Sequence, residues 1–386
     1  MTGDLDRQKS VLLSLIGPAR TLSPADWEAL DDADWQAILA MARQHRLEPW
    51  LHHRLRSAGA GWPVPAPVSA EWKEAYRNAS FGALTAQAAL TRLARAFAEA
   101  DVPMVALKGA RLAFFDYPEA ALRPMRDIDL LVAAEDLPRA VEAMANAGCD
   151  VPADRAGAIT RALDGDKHLD PILLPDCERY VELHHRIAEP GLPCIETEAI
   201  LSGAKVSQLG GTKIAFPGDE DMLGHQILHA AYNHRFDCGP LALVDIAQML
   251  SRTRIDAARF AAMAEAGGWL AGARLVIALV DKVMGETSLH IGQEQVPADV
   301  LSEAERLLLQ DFDQRAQVVL ASQSARQGLF ATLAARLKQG LARQHDEGLP
   351  RWLFSRALRT VRQGSNARSR SEAASGAVVA RWLDRS

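Results

Sequence analysis

The segment RDIDLLV at 126–132 restricts this chain more than any other stretch. Ile128, Leu130, Leu131 and Val132 read as a strand entering a core, yet the strand opens on two acids. Side chains alternate along a strand, so Asp127 and Asp129 share one face and Ile128 and Leu130 the other. Carboxylates that close repel unless a cation lies between them. Hard divalent cations such as Mg2+ take oxygen ligands and keep positions open for substrate phosphates. The pair is therefore a candidate metal site. Aspartates at strand edges are also common without chemistry, so the reading depends on what accompanies them.

Upstream, VPMVAL (102–107) has β character and runs into KGARLAFFDY (108–117), which reads as a helix start. Gly109 allows a tight turn and a close phosphate. The helix start offers free N–H groups to an anion, and Lys108 adds a full charge. Downstream, RYVELHHRI (179–187) puts Glu182 in mid-strand with His184 on the same face. Glu182 is the expected third acid and base. His225 and His229 lie four apart on an expected helix over 219–232. That spacing is compatible with zinc, but no third ligand is evident, so packing is the simpler role. Asp245 sits in an apolar helix begun by Pro240 and needs a buried partner. Structural capping is the simplest reading for it.

Around this centre the pattern is helical. Ser23 caps a helix with Pro24 at its first position, and a second helix is expected over Asp32 to Arg46. A Pro-rich connector (61–69) precedes one long Ala-rich helix (70–100). A mixed α/β part follows, with further strands at 168–175 and 179–187 and a Gly-Gly hairpin within 205–216. From Asp219 the chain reads as helical again. The expected divisions are a helical region (1–100), an α/β core (101–217), a second helical region (218–350) and a basic tail (351–386). That tail carries eight arginines, a solvated end or a contact for an acidic or phosphate-rich partner such as RNA. A net charge of −6 argues against a dedicated nucleic-acid coat. No C-x-x-C pair joins the four cysteines. No run approaches the roughly 18 apolar residues of a membrane span. A cytoplasmic protein without membrane contact is expected.

LKGARLAFFDYPEAALRPMRDIDLLV (107–132) resembles the nucleotidyltransferases of the DNA polymerase β superfamily. It is most similar to the bacterial family described as uncharacterised nucleotidyltransferase. That family's pattern meets this sequence at Lys108-Gly109, Tyr117-Pro118, Arg123-Pro124-Met125, Asp127 to Val132 and Val181 to His184, with His168 as a further match. The likeness covers roughly residues 30–250. It implies an α+β fold, a small mixed sheet flanked by N- and C-terminal helical regions. It implies transfer of a nucleoside monophosphate from an NTP, ATP favoured, to an acceptor hydroxyl with release of pyrophosphate. Asp127, Asp129 and Glu182 would hold one or two Mg2+ ions, with Mn2+ as a substitute, and carry the catalysis. Lys108, Gly109, Ala110, Arg123, Arg126, His184, His229 and Asp245 would contact the nucleotide or acceptor. Ala110 stands where the superfamily has serine, and Arg126 where a small residue is usual. Relatives point to a peptide natural product or a glycan as acceptor. Two other readings are a toxin-like transferase acting on tRNA and a non-catalytic nucleotide sensor or scaffold.

Overall fold

The computed structural model describes residues 2–292, 294–310 and 376–385. The chain forms two compact units, Met1–Gln295 and Val296–Arg385. The first contains one six-stranded mixed sheet. Its strands are β1 (Val105–Ala106), β2 (Asp127–Leu131), β3 (Ile172–Leu174), β4 (Arg179–His184), β5 (Lys205–Leu209) and β6 (Thr212–Phe216), in the order β3-β4-β2-β1-β6-β5. β2 runs parallel to β4 and β1 parallel to β6, while the other neighbours are antiparallel. The expected α+β class holds.

One face of the sheet is apolar. Ile128, Leu130, Val181, Leu183, Ile214 and Phe216 join Leu90, Leu93 and Phe97 of the Ala66–Glu99 helix and Val141 and Met144 of the Leu137–Asn146 helix in one buried cluster. The alternation that buries these residues turns Asp127, Asp129, Glu182 and His184 to the opposite face. Burial of that apolar surface, at about 25 cal/mol per Å2, fixes the register of β2 and β4. A one-residue slip would put two carboxylates in the core.

Several local expectations hold for their stated reasons. Ser23 accepts from the Asp26 N–H in a capping box, with Pro24 opening the helix. Gly210 and Gly211 both have positive φ, 55° and 76°, as the two-residue turn between β5 and β6 requires. Others are trimmed. β1 keeps only Val105–Ala106 of the expected 102–107, because Pro103 has no N–H to donate and Lys108 leaves the strand conformation at φ +44°. The expected helix at 108–117 is a single turn, Gly109–Arg111, continued by a wider π turn over Leu112–Asp116. The strand expected over 168–175 is β3 alone, with His168 joined to His184 by an isolated bridge. The Arg155–Gly165 helix, capped by the Asp154 side chain on the Gly157 N–H, was not expected.

Beyond β6 the first unit is helical, including Asp219–Leu228, a π turn at His229–Asn233, Leu241–Arg252 and Leu270–Met284. None of the described helices is long and apolar enough to cross a membrane. Of the second unit, Ala298–Leu308 is an amphipathic helix and residues 376–383 are helical. Most of the basic tail and its arginines, from 351 to 375, lies outside the described residues.

Candidate active site

The parallel register sets Asp129 beside Glu182 and Asp127 beside Tyr180. His184 Nε2 lies 3.0 Å from Asp129 Oδ1 and 3.3 Å from Glu182 Oε2. His168 Nε2 stands 3.7 Å from the same Glu182 oxygen. Ligand atoms of Asp129, Glu182 and His184 all fall within 4.8 Å of one another. Asp127 shares their face at the outer, partly exposed end of β2.

Lys108 closes this cluster from the turn that follows β1. Its positive φ is a conformation that non-glycine residues seldom adopt, and it places Nζ 2.6 Å from Asp129 Oδ1. The pair is almost wholly shielded from water. Burial alone would raise the Asp129 carboxyl, but Lys108 and His184 hold it well below the usual carboxylate range. Burial opposes the Lys108 charge, and Asp129 outweighs it and raises the ammonium. Burial, then the charge of Asp129, pushes Asp127 up. Glu182 is lowered: burial opposes its charge, and the His184 hydrogen bond overcomes that. The cluster is an acidic site balanced by one lysine. Its oxygen donors suit a hard divalent cation, and His184 lies within the same reach.

A second polar network borders the first. Arg123 donates to both carboxylate oxygens of Asp245, at 3.2 and 3.0 Å, and the Tyr117 hydroxyl donates to Oδ1 at 2.7 Å. Asp245 is thus fully engaged by protein partners. Arg123 in turn packs over Gly109 with Met125, where an added Cβ would collide with both side chains. Gly109 is therefore needed here for the close approach of Arg123.

The remaining sequence candidates are placed as follows. Ala110 is buried in the apolar cluster, and its N–H is taken by the Leu107 carbonyl. Arg126 is exposed and makes no hydrogen bond or ion pair among the described residues, so it does not fill the space between the acids. Arg111, which follows the Lys-Gly turn, is buried and donates to the Pro217 carbonyl and Asp219 instead of facing the cluster. His229 is partly buried, its ring centroid 6.5 Å from His225 and 4.3 Å from His234. His225 is fully buried, neither ring nitrogen having a hydrogen-bond partner, and burial followed by the Lys108 charge holds it well below its ordinary range. No third ligand accompanies the two histidines among the described residues.

Asp116, at the end of the π turn, is a buried acid with a poor partner. Its Oδ2 lies 3.5 Å from Arg111 Nε without a hydrogen bond, and burial raises its pKa from 3.8 to about 6. The folded protein then holds this proton more tightly than the unfolded chain. Stability contributed by the group is full below the ordinary value and is lost as pH rises toward about 6. Asp116→Asn is expected to flatten that decline and to be no less stable than the parent at about pH 8, measured by urea unfolding across pH. A marked loss at the higher pH contradicts this.

A family model described as uncharacterised nucleotidyltransferase matches residues 31–285. The chain belongs to this family. The nucleotidyltransferase match takes in the N-terminal helices from Asp31, the whole sheet and the helices that follow to Gly285. The protein is accordingly an enzyme of nucleotidyl transfer. No curated protein and no solved structure matches the chain.

Two features around the candidate site have almost no local signal in the sequence. The tie from Asp245 to Arg123 spans 122 residues, so no local pattern announces it. Arg46, from the N-terminal helices, is charged in the company of Arg123, Arg126, Asp127 and Asp245. Its one sequence signal is an arginine where a helix ends and glycine is usual.

Proposed function

We propose that the protein transfers a nucleoside monophosphate from an NTP, with ATP favoured, to a hydroxyl of a peptide or glycan acceptor, releasing pyrophosphate. The observation that carries this reading is the side-by-side placement of Asp129 and Glu182 on the polar face of β2 and β4, with the Lys108 ammonium on Asp129. Nucleotidyl transfer is mainly positioning and neutralisation of developing charge, and this cluster has the groups for both.

Asp127, Asp129 and Glu182 would hold Mg2+, or Mn2+ in its place. Such an ion would neutralise phosphate charge and align the acceptor oxygen. Glu182, ionised and partly exposed in β4, would take the acceptor proton. Lys108 now stands as the cation on Asp129. If a metal took up the carboxylates, the Lys108 ammonium would become available to the phosphates. Arg123, fixed by both oxygens of Asp245, presents a guanidinium in one orientation beside the Lys108-Gly109 turn.

The direct test is incubation of the purified protein with each labelled NTP, Mg2+ and a lysate of its host, followed by mass spectrometry for a molecule that gained a nucleotide. Label on a peptide or glycan hydroxyl, with one pyrophosphate per transfer, supports the reading. Binding of NTP without pyrophosphate release under every condition removes it.

A further inference from the structure

The Asp32–Gln44 helix ends in a Schellman motif. The Leu47 N–H reaches back to the Ala42 carbonyl at 2.8 Å and the Arg46 N–H to the Arg43 carbonyl at 3.2 Å. The motif demands one residue in the left-handed region, and that residue is Arg46, with φ +57°. Glycine occupies such a position without steric penalty, and asparagine with little. An arginine there is strained for no benefit to the helix, and strain of this kind is kept where the side chain has work to do.

No side-chain bond among the described residues accounts for the strain. Arg46 is half-buried, yet its guanidinium makes no hydrogen bond or ion pair among the described residues. Burial, then the charges of Arg123 and Arg126, push its pKa down to about 10, while Asp127 and Asp245 pull it up. It is still a cation at neutral pH. The following helix, Glu48–Ala58, docks beside the site through Trp50, edge-on to Tyr117 with ring centroids 5.9 Å apart. Tyr117 shares Asp245 with Arg123. His45 packs directly over Gly239, next to the Pro240 that starts the Asp245 helix. The helical block thus docks Arg46 against the Tyr117–Asp245 network, within electrostatic reach of Arg123, which is fixed, and Arg126, which is free.

A partly buried cation without a counter-ion is unfavourable, and three gathered guanidiniums repel one another. An anion of several charges resolves both. Guanidinium forks match phosphate oxygens two at a time. We propose that Arg46 binds the polyphosphate chain of the NTP together with Arg123 and Arg126, so that the N-terminal helices complete the nucleotide site. This rests on the nucleotidyl-transfer reading above and adds a ligand from outside the sheet.

The test is calorimetry with two probes, ATP and inorganic triphosphate, each with Mg2+, on the full chain and on Arg46→Gly and Arg46→Asn. Both substitutions tolerate positive φ, so the helix end keeps its geometry. The expected result is binding of both probes about tenfold or more weaker in both variants, on the scale of a lost charge-assisted hydrogen bond. The melting temperature of the free protein should be unchanged or, for Arg46→Gly, higher. Affinities equal to the parent's overturn the assignment of Arg46 and leave nucleotidyl transfer standing. Weaker binding with a lower melting temperature in both variants makes the residue structural and also overturns it. A parent that binds neither probe removes the nucleotide reading and this inference together.

Discussion

Asp129→Asn is expected to cut NTP-dependent label transfer by on the order of a thousandfold, the scale on which losing a charge-neutralising group tells in phosphoryl transfer. The substitution keeps the shape of the side chain and removes its charge. Its effect reaches beyond catalysis, because Asp129 is 4% exposed and balances the largely enclosed Lys108. Removing one partner of a buried ion pair costs about 3–5 kcal/mol, since the other is left uncompensated. The two losses can be separated. Adding Lys108→Met should restore much of the stability, because an apolar side chain does not need the missing charge. Transfer should stay absent. A single Asp129→Asn variant with near-parental transfer would remove Asp129 from the chemistry.

Asp245→Ala is the second large expectation. Asp245 is buried and accepts from Arg123 through both oxygens and from the Tyr117 hydroxyl. Without it, a buried guanidinium and a buried hydroxyl lose their acceptor, at a cost of about 3–5 kcal/mol in chemical denaturation. Tyr117→Phe removes only one neutral donor and should cost about 1 kcal/mol. The contrast separates a charge effect from packing. The Asp245 variant should also bind NTP less tightly, since Arg123 loses the fork that aims it past Gly109. A cost for Asp245→Ala no larger than that of Tyr117→Phe would mean that Arg123 is solvated rather than held.

Much of this follows from local pattern. The alternation in DIDLLV and RYVELH set which residues face the core, and the parallel pairing of β2 with β4 then placed Asp129 against Glu182. The Gly-Gly hairpin and the Ser23 cap were legible because a turn or a helix start is decided by two to four neighbouring residues. What stayed hidden depends on distant partners. Asp245 in its apolar helix announced a need for a partner but not Arg123. Arg46 announced nothing through polarity or spacing, only through a helix end that lacks its glycine. The shortness of β1 came from Lys108 abandoning strand geometry to reach Asp129, a choice the run VPMVAL does not reveal. The role of the basic tail stays with the sequence, since residues 311–375 lie outside the described structure.

The central claim is that carboxylates on the polar face of β2 and β4 hold divalent ions against a triphosphate. Crystals grown with Mn2+ and a non-hydrolysable NTP analogue test it most directly through the anomalous signal of manganese. The expected result is a manganese peak bounded by Asp127, Asp129 and Glu182, with the Lys108 ammonium moved from Asp129 onto phosphate oxygen. Nucleotide bound elsewhere, or bound at this site with no manganese peak and Lys108 still on Asp129, would contradict it.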